Sequence, residues 1–211
     1  MNKYLIIIVF ALGFVSQSCL PLMEDFQYTP SPRENNTKLS TWSFLNQRGD
    51  FQSFVSLIRV SGIDTMLYAQ TEKKYTYLIM NANAVALLLN DKYASSISNM
   101  SSLTDVQKAD LRNRLLYHII DGYYYGLPGG NLGFNPVNVI TLWKDRNSVM
   151  VLKLDQAAIP TYSSTSDCML GVNSFKPASA AEYKAVTSNL FVTNGVMHVL
   201  GNYASYDRVS R

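Results

Sequence analysis

Helical periodicity gives way to strand patterning near residue 120 of this 211-residue chain, and that order restricts the fold more than any other feature. Thr41 to Leu45, with Ser40 ahead of it as a cap, reads as a short helix. Asp50 reads as the cap of a second one, in which most of Phe51, Phe54, Val55, Ile58 and Val60 fall on one face before Gly62 ends it. Ile63 to Leu67 adds a turn. Tyr75 to Ile79 is aromatic and β-branched, hence a strand. Asn81 to Leu89 is Ala- and Leu-rich, hence a helix. Ser102 to His118 forms the last helical pattern, capped by Thr104 and striped by Leu111, Leu115, Leu116 and Ile119. Turn signals fill 121–136, including Asp121-Gly122 and Pro128-Gly129-Gly130. Short strands follow at Val137–Leu142, Val149–Leu154, Leu190–Val192 and Met197–Leu200. Helices first and strands later is an α+β order rather than an alternating βαβ one. With no internal repeat, the chain is expected to hold a single folded domain over residues 40–208.

Residues 1–18 are set apart from that domain. Lys3 supplies a positive start, and Tyr4 to Val15 is an unbroken apolar run. A helix of that length spans only ~18 Å, short of the ~30 Å hydrocarbon core, so the run reads as a cleavable export signal. It ends in Val15-Ser16-Gln17-Ser18-Cys19, which resembles the lipobox of bacterial lipoproteins, with Ser16 in the place of the usual Leu. The resemblance implies acylation at Cys19 and a membrane anchor of two or three acyl chains, enough for stable attachment. Residues 19–39, with Pro21, Pro30, Pro32, Asn35 and Asn36, then read as a tether. The expected location is the outer membrane of a Gram-negative cell, on either its surface or its periplasmic face. Glu24-Asp25 after the Cys resembles a surface-export signal of some such lipoproteins. With Cys19 acylated, Cys168 would be a lone thiol, most simply a small buried hydrophobe.

Four stretches resemble the fasciclin family. Phe51 to Ile58 followed by Gly62-Ile63-Asp64 is similar to the opening helices of that domain. Tyr75 to Val85 stands where its first motif belongs, with Leu78-Ile79-Met80-Asn81-Ala82 replacing the usual Phe-Ala-Pro-Thr-Asn. Leu115 to Gly122, with Tyr117 and His118, is similar to the central Leu-x-Tyr-His-x-x-x-Gly signature. Asn194-Gly195-Val196-Met197-His198-Val199-Leu200 is similar to the closing motif. The four come in family order and span nearly all of residues 41–207. The resemblance implies a strand wedge or sandwich with the N-terminal helices packed along it. It also implies a non-catalytic role in adhesion or protein–protein interaction.

The matched residues make physical sense as framework. Asn194-Gly195 is a tight-turn pair, since both residues tolerate positive φ. Beyond it, Val196, His198 and Leu200 share one strand face and Met197 and Val199 the other. His118 and His198 are the two histidines of the chain. Each reads as a neutral buried clasp, since a metal site would need further ligands and no Cys/His cluster has zinc spacing.

Neither a catalytic constellation nor a cofactor motif is found. There is no Gly-x-Ser-x-Gly, no phosphate-cradling glycine loop and no His-Glu-x-x-His. Net charge is +3 without a basic run longer than two residues, which sets nucleic acid aside as a partner. The chain carries 14 Tyr, a residue that suits both half-buried strands and contact surfaces. Tyr123, Tyr124 and Tyr125 are therefore expected to meet a protein or glycan partner. Arg48-Gly49-Asp50 matches a tripeptide read by some integrins; it is otherwise a loop leading into a helix. The alternative role is an accessory lipoprotein that captures a glycan or another nutrient for an outer-membrane uptake system.

Overall fold

A computed structural model of the chain describes residues 37–126, 130–145, 148–156, 168–173 and 185–205. The leader, Cys19 and nearly all of the expected tether lie outside them.

The helices form where local signals put them. Ser40 caps α1 (Thr41–Gln47), its hydroxyl accepting from the Ser43 N–H at 3.3 Å. The α2 helix (Gln52–Ser61) ends at Gly62, left-handed at φ 64°. A single turn, α3 (Met66–Ala69), leads to the strand β1 (Tyr75–Met80). Asn81 then caps α4 (Ala82–Tyr93), accepting from the Ala84 N–H at 2.9 Å. Thr104 and Gln107 close a reciprocal capping box on α5 (Asp105–Tyr117).

Two expectations about helix ends need correction. Asp50 does not cap α2; it lies in a 3-10 turn, Gly49–Phe51, and its carboxylate is taken by Arg48. Ile119 does not continue the α5 stripe. His118 ends that helix and Ile119–Asp121 is a strand, β2. It forms because β1 offers it an edge, pairing antiparallel from Tyr75↔Asp121 to Tyr77↔Ile119.

The remaining strands are β3 (Val137–Ile140), β4 (Val149–Gln156), β5 (Cys168–Val172), β6 (Ala185–Val192) and β7 (Gly195–Leu200). They build two sheets, ordered β2-β1-β7-β6 and β3-β4-β5. Central β7 runs parallel to β1 and antiparallel to β6, and all six of its residues are buried. The sheets are stitched at one edge by an Ile120↔Thr141 bridge and a 2.8 Å bond from the Leu142 N–H to the Ile119 carbonyl.

The four-stranded sheet is therefore a middle layer with a core on each face. Tyr77, Ile79, Met197 and Val199 point to the helices and pack with Phe54, Ile58, Leu88 and Leu115. Leu78, Ile120 and Leu200 point the other way, to Val139, Met150, Leu152 and Leu170 of the second sheet. The architecture is the expected α+β one, a strand sandwich with the N-terminal helices packed along one side.

Before α1 the chain is already part of the sheet. The Thr37 N–H donates to the Phe191 carbonyl at 3.0 Å, and the Thr193 N–H donates to the Leu39 carbonyl at 2.9 Å. Residues 37–39 thus lie along the end of β6, three residues ahead of the expected start at 40.

Candidate functional site

The closing motif, Asn194 to Leu200, covers the turn between β6 and β7 and the whole of β7. Gly195 takes φ 155°, and a Cβ there would run into the Tyr75 carbonyl oxygen of neighbouring β1. Only Gly195 of the pair needs positive φ. Asn194 serves instead as a tie between elements. Its side chain is wholly buried, and every one of its polar bonds is made. Its Oδ1 accepts from the Thr41 N–H (2.9 Å) and hydroxyl (3.1 Å). Its Nδ2 donates to the Tyr68 carbonyl and to the Tyr77 hydroxyl, both at 2.8 Å. One amide thereby fixes the start of α1, the turn α3 and strand β1. Val196 is buried opposite Thr76 of β1.

Both histidines are buried, each with one ring nitrogen donating and the other accepting, in opposite tautomers. His118 Nδ1 donates to the Arg114 carbonyl at 2.7 Å, and its Nε2 accepts from the Ala204 N–H at 3.0 Å. His198 Nδ1 accepts from the Asn189 N–H at 3.3 Å, which leaves Nε2–H to donate to the Tyr124 carbonyl at 3.0 Å. In each ring a backbone N–H occupies one nitrogen, so these bonds require the neutral form. Burial pushes both pKa values down to about 4. Tyr117 donates its hydroxyl to the Val149 carbonyl (3.4 Å), accepts from Asn173 Nδ2 (2.7 Å) and meets Trp143 edge-on. The motif residues Tyr117, His118, Asn194, Gly195, Val196 and His198 thus hold layers together and leave no reactive group aimed at solvent. Among the described residues no group of three or more His, Cys, Asp or Glu could hold a metal ion.

The tyrosine run divides. Tyr124 faces inward: its ring lies over Gly122 and packs against the core between the sheets. Tyr123 and Tyr125 are half-buried, with ring centres 5.1 Å apart, and both meet the half-buried Phe191 of β6, at 6.2 and 5.4 Å. Lys74 Nζ stands 5.2 Å over the Tyr123 ring. The segment is held from several sides. Thr76 Oγ1 accepts from the Tyr124 N–H and Asn189 Oδ1 from the Gly126 N–H. Asn131 donates to the Tyr123 carbonyl and accepts from the Tyr125 N–H. Phe191, Lys74, Asn131 and Asn189 carry no local signal of this role, because only the fold brings them to the tyrosines.

Arg48 and Asp50 are closed on each other by two bonds of 3.0 and 2.9 Å, with both side chains about half exposed (53% and 54%). Arg48 also lies over the rings of Phe44 and Phe51. Gly49 meets nothing within 4 Å of where a Cβ would stand.

A cleft of about 680 Å³ opens where α5, α3, the start of β1 and the turn after β3 meet. Leu67, Tyr75, Leu116, Leu142 and Trp143 give it apolar walls, and Asn113, Lys144 and Asp145 a polar rim. Cys168 falls at the start of β5, and Cys19 lies outside the described residues.

Among solved structures the chain is similar to a FAS1 domain pair from the insect cell adhesion molecule fasciclin I, with a TM-score of 0.53 over 81% of this chain. The fold is that of a FAS1 domain. Sequence identity is 12%, and the match covers 52% of the insect chain, about half of its domain pair. No family profile and no curated protein match the sequence.

Proposed function

We propose that this chain is a non-catalytic contact module acting in adhesion or protein–protein interaction, carried on a lipid anchor at Cys19. The observation that carries the reading is the use made of the motif residues. The polar side chains that a reaction would employ, His118, His198, Tyr117 and Asn194, are all engaged in internal hydrogen bonds. A FAS1 fold in an adhesion molecule supports the same reading. Single contacts by such a domain are weak, and many anchored copies on one surface bind together through effective concentration. Beads coated densely with the protein should therefore cluster, or adhere to cell or matrix surfaces, where the monomer binds at least ~100-fold more weakly. Bead retention no better than that of an uncoated control refutes the reading.

The cleft favours a second reading, capture of a glycan or other nutrient for an outer-membrane uptake system. An aromatic wall with a few polar rim groups is the usual dress of a small-ligand site. Trp143 lines the cleft, so oligosaccharide binding there should change its fluorescence, and Trp143→Ala should abolish binding. A flat titration with oligosaccharides removes this reading and leaves the first intact.

A further inference from the structure

The aromatic cluster lies beside the place where the chain leaves the fold toward Cys19. Phe191, the residue that half-buried Tyr123 and Tyr125 both touch, is the residue whose carbonyl accepts from the Thr37 N–H. The same end of the sheet carries the start of β1, where the Tyr75 N–H donates to the Asn194 carbonyl, and the lysines before it. Lys74 stands over Tyr123, and Lys73 pairs with Asp121 at 2.6 Å. Lys38 follows Thr37 and is exposed. We propose that this end of the domain is a docking face for the lipid headgroup layer of the membrane that holds the chain's own anchor, with Tyr123, Tyr125 and Phe191 seated at the headgroup boundary and Lys38 and Lys74 toward lipid phosphates.

The inference rests on anchoring at Cys19 and on three independent features of the fold. The first is position. Residues 20–36 span at most ~60 Å even fully extended, so the surface next to Thr37 meets the bilayer at high effective concentration. The second is chemistry. Tyrosine with its apolar ring and polar tip, flanked by lysines on flexible stems, is the composition that settles at a membrane–water boundary. The third is readiness. Thr76, Asn131, Asn189 and His198 already hold the tyrosine segment, so docking orders little that is loose.

The test uses the full acylated protein in vesicles of phosphatidylethanolamine and phosphatidylglycerol. Trp42→Phe and Trp143→Phe remove the native indoles, and Tyr125→Trp places one in the cluster. Headgroup spin-labelled lipid should quench its emission, as expected for a ring at the headgroup boundary. Lys74→Glu with Phe191→Ser should restore most of it, circular dichroism confirming that the fold survives. An indole that escapes the labelled lipid while remaining open to aqueous acrylamide overturns the proposal and returns the cluster to a protein partner. Flotation of the vesicles separates the two failures: protein that does not float refutes the anchor at Cys19, and docking with it, whereas floating protein with an unquenched indole refutes docking alone.

Discussion

At the scale of single residues, the fold depends on polar side chains that have been withdrawn from water. His118 and His198 are each bound in the neutral form, and their pKa values fall from 6.5 to about 4. Between those values the unfolded chain binds protons that the folded one refuses, so stability rises with pH across that window. It is fully present above pH 6.5 and is lost as the pH falls toward 4, by about 3 kcal/mol for each ring. Urea unfolding at pH 7, 5.5 and 4 should trace this loss. His198→Gln, which offers the same kind of amide donor and acceptor without titrating, should flatten the curve by about half. An unchanged pH profile would show that His198 takes up protons equally in the folded and the unfolded chain.

At the scale of elements, β7 is fixed in place by the absence of one carbon atom. A Cβ at Gly195 has no room beside the Tyr75 carbonyl, so the parallel β1–β7 ladder must shift or open to accept it. Gly195→Ala should lower stability by at least ~2 kcal/mol, measured by thermal unfolding, while Gly49→Ala, in open space, should change it by less than ~0.5 kcal/mol. The elements differ in how openly the sequence announces them. Ser40, Gly62, Asn81 and Thr104 act within a turn of their own positions, so the caps they form are readable from the residues alone. Strand β2 is not readable in that way, because Ile119 continues the spacing of Leu111 and Leu115 and becomes a strand only through β1, over 40 residues away in sequence. Strand β5 has the same cause, since among the described residues it forms its ladder on β4. Asn194 shows both sides of the matter. Its place beside a glycine marks a turn, but the amide binds Thr41, 153 residues earlier, and no local pattern carries that distance. The aromatic cluster is half legible. Tyr123 and Tyr125 stand out as a run, whereas Phe191 joins them only through the fold, and Tyr124 turns inward because strand-like alternation sends every second side chain to the core.

At the scale of the whole molecule, two cores share a single sheet. Residues one apart on β1, Leu78 and Ile79, belong to opposite cores, so neither core can dissolve while the strand stays paired. Cooperative loss of both is therefore expected. The two tryptophans offer separate reporters, since Trp42 packs against the helical core and Trp143 against the core between the sheets. Single-tryptophan variants, Trp42→Phe and Trp143→Phe, should report the same denaturant midpoint by fluorescence once corrected for their own stability. Midpoints that separate would show the second sheet melting by itself.

The bonds that carry Thr37 and Leu39 along β6 have a mechanical consequence. A pull applied from the N-terminal side of the domain loads the chain at this seam first. The backbone bonds to Phe191 and Thr193, joined by one from the Thr37 hydroxyl to the Phe191 carbonyl at 3.3 Å, lie in sequence along one short ribbon, so they should break one after the other. Their release lets out only about 10 Å of chain before tension reaches Thr41, where the buried Asn194 amide grips both the backbone and the hydroxyl. Under such a pull the seam should yield before the clamp at Thr41 and leave the layered body behind it intact.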